Sequence, residues 1–292
     1  MLLLPDFLLI LTGFAICRWT PLGRSVWDGV ERLVYYFLFP VLLFNSIVQS
    51  PLDPAATARL AIAGVSVVVA GIALASALGR LPGIDRRLHA SGAQIAFRFN
   101  SYVALALAER LGGAQGVAWI ALLVALCVPI CNVAAVWPLA RLGGLNYGRE
   151  LLRNPLIVGT VSGLVANAAG IALPEVATTT LQRIGTAALP LGLMAVGAGL
   201  QLAGLKAAPK LAAALLAIRH IALPAFALAL TALLALAAGE RAIVIAFAAL
   251  PTASSSYVLA ARMGGDGPYV AGLVTVSTLL GMLSVPLWLA WT

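Results

Sequence analysis

Charge is the scarcest property of this sequence. Of 292 residues, 18 are Lys or Arg and 10 are Asp or Glu, one residue in ten. A soluble domain carries about one in four. Hydrophobic residues make up 62% and the mean hydropathy is +1.03. That excludes a water-soluble globule and leaves a polytopic membrane protein whose solvent is mostly lipid. The formal net charge is +8, but the basic residues stand singly among apolar runs. No clustered basic face offers itself to nucleic acid, and none is expected as a partner. Cysteine is rare too. Cys17, Cys127 and Cys131 are odd in number, lie in apolar stretches and have no histidine or acid beside them. That argues against a disulfide framework or a zinc site, and Cys127 and Cys131, one helical turn apart, read as small apolar fillers. No metal or other cofactor is expected. The first 17 residues lack a basic n-region and a small-x-small cleavage site and carry Asp6, so they read as a retained first span.

Apolar runs occupy roughly 2–18, 31–50, 56–79, 88–111, 115–138, 152–173, 178–202, 207–238, 240–262 and 268–291. Each reaches about the 17–25 residues that cross a ~30 Å hydrocarbon core. Without barrel-type alternation all ten should be helices, with a bend in the eighth at Pro224. The loops after spans 1, 3, 5, 7 and 9 hold Arg18, Arg24, Arg32, Arg80, Arg86, Arg87, Arg141, Arg149, Arg153, Lys206, Lys210 and Arg262; the other side holds Arg59, Arg110, Arg183 and Arg241. The positive-inside rule puts the larger set in the cytoplasm and both termini on the non-cytoplasmic side. Trp19, Trp27, Trp119, Trp137, Trp288 and Trp291 fall near span ends, as an aromatic belt does.

A shift of 150 residues aligns Pro5 with Pro155, Gly13 with Gly163 and Pro40 with Pro190, and brings Asn100 beside Pro251, one residue out of step. Spans 1–5 then repeat as spans 6–10, which divides the chain into 1–145 and 146–292. Five is odd, so the halves enter the membrane from opposite sides. Such inverted repeats belong to secondary transporters, whose sites lie where two helices are interrupted at the midplane.

Spans 4 and 9 carry the matching features. Span 4 holds Gln94, Arg98, Asn100, Ser101 and Tyr102; Asn100 lies about 12 residues in, hence about 18 Å deep. An amide, a hydroxyl and a guanidinium in one turn are expensive in hydrocarbon and should face a cavity or another helix. Asn100 can close an interrupted helix or hold a carboxylate. In span 9, Pro251 removes a backbone donor and clashes with the carbonyl of Phe247. Thr252, Ser254, Ser255 and Ser256 are placed to satisfy the freed groups or to cap a new half-helix that suits an anion. Pro40 and Pro190 suggest matched breaks in spans 2 and 7. Asn45 is a candidate cavity residue, Asn132 is a mid-span amide, and Asn167 reads as packing. Arg219 and His220 suggest pairing with Glu240, snorkelling or, for His220, titration. No Asp or Glu lies at mid-span; Asp6 and Glu109 sit near ends. That absence argues against a cationic substrate and carboxylate-based ion coupling, and Arg98 favours an anion. An intramembrane protease is disfavoured, since Lys206 and Lys210 share one loop and no two aspartates share a membrane level.

The runs Phe37 to Phe44, Arg98 to Ser101, Asn154-Pro155, Ala188 to Gly199 and Ala249 to Ala260, in this order and spacing, resemble the auxin efflux carrier family, with its bacterial malonate-type transporters and plant carriers. The resemblance covers nearly the whole chain. It implies an all-α, ten-helix, NhaA-like inverted-repeat fold in which broken helices 4 and 9 cross between a scaffold and a transport part. It implies export or exchange of small organic carboxylates by an elevator-like movement, with Asn100 and Pro251 at the crossing, and no enzymatic activity. Substrate contacts are expected from Arg98, Asn100, Ser101, Tyr102, Pro251, Thr252, Ser254, Ser255 and Asn45. A bacterial inner membrane is the expected location, and the chain is open to pairing as a homodimer. The sequence departs from the family in having no proline between Pro82 and Pro129, so the span-4 break is either milder or held open by Asn100 and Ser101. It also has Ser255 where many members have asparagine. A sodium-coupled symporter of the related bile-acid type is the alternative.

Overall fold

A computed structural model of the chain describes residues 4–49, 54–143, 155–200, 205–253 and 256–292. Among them the regular structure is helical: α1 Leu4–Trp19, α2 Arg24–Leu33, α3 Phe39–Val48, α4 Pro54–Leu78, α5 Arg86–Gly92, α6 Gln94–Phe97, α7 Ser101–Gly143, α8 Pro155–Ala168, α9 Glu175–Ala198, α10 Pro209–Ala217, α11 Leu223–Leu233, α12 Ala238–Ala249, α13 Ser256–Arg262 and α14 Gly267–Leu289, with a 3₁₀ turn at Leu205–Ala207. Ser254, Ser255, Arg149, Arg153 and Asn154 lie outside the described residues.

Four stretches, Thr57–Leu78, Arg86–Leu139, Pro209–Leu233 and Gly267–Leu289, are long and apolar enough to cross a membrane. The second, 54 residues long, would measure about 80 Å as a straight helix, far more than the ~30 Å core. It is not straight. The chain leaves helical geometry at 98–100, and again at Gly113, whose φ of 52° and ψ of −140° lie in a region open to glycine. The bend brings Gly116 so close to Ala108 that a Cβ there would meet the Ala108 carbonyl.

Two five-residue π turns, Val34–Leu38 and Ile218–Ala222, join α2 to α3 and α10 to α11. Their cause is local. The Phe39 amide donates to the Val34 carbonyl, five residues back, just before Pro40; the Leu223 amide donates to the Ile218 carbonyl just before Pro224. Proline has no N–H to give and crowds the carbonyl four residues earlier. Widening the preceding turn by one residue carries the ladder past it. Pro40 therefore sits in the first turn of α3 without interrupting the span. Pro190 lies inside α9, which runs from Glu175 to Ala198. The breaks expected at these two prolines are a widened turn in one case and a continuous helix in the other.

Packing sorts the helices into two groups that draw on both halves of the chain. In one, α1, α2, α3, α8 and α9 pack together. Glycine sets their spacing. Gly13 and Gly197 bring α1 and α9 so close that a Cβ would meet the backbone of Met194 or Ile10, and Gly159 and Gly163 of α8 do the same against Pro40 and Phe44 of α3. This is the small-xxx-small arrangement that lets membrane helices touch backbone to backbone. Asn167 Nδ2 donates to the Ile47 carbonyl (2.8 Å), a packing role at the end of the same interface. In the other group, α12 lies at the centre against α4, α7, α11 and α14, with α13 on α14.

Candidate functional site

The two interruptions touch. The backbone N–H of Asn100 donates to the carbonyl of Pro251 (2.9 Å). Each break has its own local cause. Leu250 is extended (φ −53°, ψ 146°) and ends α12, because the residue before a proline is pushed out of the helical region. In span 4 no proline is present. Arg98 is extended instead (φ −74°, ψ 147°), and the Asn100 side chain starts the next helix: its Oδ1 accepts from the amides of Tyr102 (3.0 Å) and Val103 (3.2 Å). That is an N-cap worth about 1 kcal/mol, and it shows how the break stands without proline. Gly281 of α14 makes room for the other side; a Cβ there would stand 3.1 Å from the Pro251 ring.

Beside the contact is a cavity of about 80 Å³, lined by Arg98, Asn100, Ser101, Tyr102, Asn132, Cys131 and Ala253 together with Glu31, Tyr35 and Phe39. The capping role fixes the Asn100 amide: with Oδ1 turned to α7, Nδ2 is a buried donor without a partner. Thr252 Oγ1 and Ser256 Oγ are also buried and unpartnered, on residues that are both fully buried. Arg98 Nη1 donates to Gln94 Oε1 (2.8 Å), and its Nη2 lies 3.5 Å from Asn132 Oδ1. Gln94 Nε2 in turn donates to the Ser256 carbonyl (3.2 Å), tying the two broken helices together a second time. The Tyr102 ring packs on Phe39 (centroids 4.5 Å apart) and against Gly192.

Of the expected site residues, Arg98, Asn100, Ser101 and Tyr102 line this cavity. Pro251 and Thr252 border it through the backbone contact and their neighbour Ala253. Asn45 is elsewhere: it is buried in α3 and its Oδ1 accepts from Gln49 Nε2 (2.8 Å). A larger cavity of about 720 Å³ between α4, α5, α6 and α7 is lined mostly by apolar side chains and holds none of the expected residues.

Four participants were not expected here. Glu31 lines the cavity, so a carboxylate is present after all. Arg24 neutralises it (3.2 Å) and also pairs with Asp28 (2.9 Å). Glu31 is the first residue of the apolar run 31–50 and went unremarked, but the helix begins earlier, at Arg24, which puts the acid about two turns into it. Arg219 is 1% exposed, and neither Glu240 nor solvent takes it. Its Nε donates to the Leu250 carbonyl (2.6 Å) and its Nη2 to the Phe247 carbonyl (3.0 Å). Arg219 thus satisfies the carbonyl that the proline frees, a role that the described hydroxyls of Thr252 and Ser256 do not take. His220 bonds the Ser284 and Ser277 hydroxyls (2.9 Å each), and Ser277 Oγ accepts the Thr252 amide (2.9 Å). One signal pointed to the arginine: it stands five residues before Pro224, as the cavity-lining Tyr35 stands five before Pro40. Cys131 is also more than filler, since its thiol donates weakly to the Phe97 carbonyl at the end of α6 (3.5 Å).

A family model described as membrane transport protein matches residues 140–289. The chain belongs to that family. The match includes the Pro251 break, Arg219 and His220, and it agrees with the auxin efflux carrier motifs. The chain is an integral membrane transporter. No curated protein matches it.

Proposed function

We propose that the chain is a secondary carrier that exports or exchanges small organic carboxylates by alternating access, binding them where the breaks in spans 4 and 9 meet. The observation that carries this reading is the Asn100 side chain. Its oxygen is consumed by the cap, and its nitrogen is a buried donor with nothing to donate to. Such a group selects for an acceptor, and a carboxylate supplies one. The start of α7 adds the positive end of a helix dipole, and Arg98 adds a guanidinium. Ten crossings arranged as inverted halves 1–145 and 146–292, an elevator-like movement of one helix group against the other, an inner-membrane location and outward-facing termini complete the reading.

Counterflow in proteoliposomes tests it, with malonate and indole-3-acetate as labelled probes. At least one should exchange, and Asn100→Ala should reduce the rate at least tenfold while the protein remains folded and inserted. Exchange at the wild-type rate in Asn100→Ala would count against the crossing as the site.

A further inference from the structure

Arg219 is a buried cation with no anion. Among the described residues Arg24 pairs with Asp28 and Glu31, and no acid pairs with Arg219. Glu240 is at the opposite end of α12, where its carboxylate accepts the Ala237 amide (3.2 Å). The guanidinium is instead spent on two backbone carbonyls, Leu250 and Phe247, at the helix end that carries negative dipole charge. Carbonyl oxygens left free at such an end, near the unpartnered hydroxyls of Thr252 and Ser256, are hard oxygen donors of the kind that hold a small cation.

We propose that Arg219 is a tethered cation of the crossing. Its guanidinium occupies the oxygens that a free sodium ion would otherwise coordinate, so the span-9 break is complete without a coupling ion. The π turn at Ile218–Ala222 supports this placement, because the chain there is wound wider and presents Arg219 and His220 side by side toward the break. His220 is fixed by Ser277, Ser284 and, through its carbonyl, by Trp288 Nε1 (2.9 Å). The guanidinium is therefore held on a rigid support. A second cation beside it would meet like-charge repulsion in a low-dielectric interior. The proposal rests on the crossing being the transport site, but its test uses no transported solute, so the two readings fail separately.

The test is thermal unfolding of the purified protein in sodium, potassium and choline chloride at equal ionic strength. The wild type should melt at the same temperature in all three. Arg219→Ala should melt lower in choline and recover by about 3 °C or more in sodium. Arg219→Lys, which keeps a tethered charge, should be as indifferent to sodium as the wild type. Arg219→Gln serves where the alanine variant does not fold, and recovery of either variant only when purified in sodium supports the proposal. A wild type that sodium stabilises over choline overturns it. So does a folded Arg219→Ala indifferent to the cation, or loss of both uncharged variants equally in sodium and choline.

Discussion

Asn100 divides its side chain, holding a helix start with one atom and leaving the other a buried donor without a partner. Thr252 has no such division: its amide is held by Ser277 while its hydroxyl has no protein partner. An unmet buried hydroxyl stabilises nothing, so Thr252→Val, which keeps the shape and deletes the oxygen, should leave the melting temperature unchanged or raise it. If the hydroxyl meets substrate, the same variant should lose about tenfold in anion affinity, the worth of one hydrogen bond of ~1.4 kcal/mol. Titration of binding alongside a melting curve reads both. Arg98→Gln should likewise weaken anion binding. Unchanged affinity would leave Arg98 as a tie between Gln94 and Asn132.

Among the elements, the span-9 break depends on a proline and on a glycine that accommodates it. Pro251→Ala should restore helical preference at Leu250 and slow exchange more than it lowers the amount of folded protein. Gly281→Ala should press a methyl group against the Pro251 ring, at the 3.1 Å separation given above, so the ring must give by a few tenths of an ångström and the exchange rate should fall. Measured melting temperatures and exchange rates of the pair decide whether the break has to be this tight. These elements also show which parts of the fold the sequence made readable. The breaks at Asn100 and Pro251 stood out because polar atoms and proline are costly in the middle of an apolar run. The π turns did not, because the one-residue shift of phase that a widened turn brings leaves no mark in a run that is apolar all round, and only the prolines that follow hint at it. Arg219 was visible as a residue but not as a cap, since its partners are carbonyls, which every residue possesses. Glu31 was passed over because composition marks where a run becomes apolar, and helix α2 begins before that. The glycine interface of α8 needed the partner helix to be known before its purpose was apparent.

At the scale of the whole molecule, Arg24 of α2 reaches from one helix group to the other, donating to the Tyr257 hydroxyl of α13 (3.2 Å) beside its pairs with Asp28 and Glu31. The cavity therefore sits under a polar link between the groups, formed by side chains that can part and rejoin at little cost. An anion carried without a compensating ion moves charge, and a membrane potential of 100 mV acts on each unit charge with about 2.3 kcal/mol, or ~50-fold in accumulation. Vesicles clamped with potassium and valinomycin should therefore load a monoanion when the interior is positive and resist loading when it is negative. A rate and extent that ignore the clamp would mean that another ion travels with the substrate. Glycine fixes the closest contact within one helix group. Gly13 with Met194, and Gly197 with Ile10, weld α1 to α9 through main chain, leaving no soft side chains to rearrange. Across the groups the contacts include the Arg24–Tyr257 hydrogen bond and the Phe39–Tyr102 ring pair, and a larger residue at Gly13 should cripple assembly before it ever alters the kinetics.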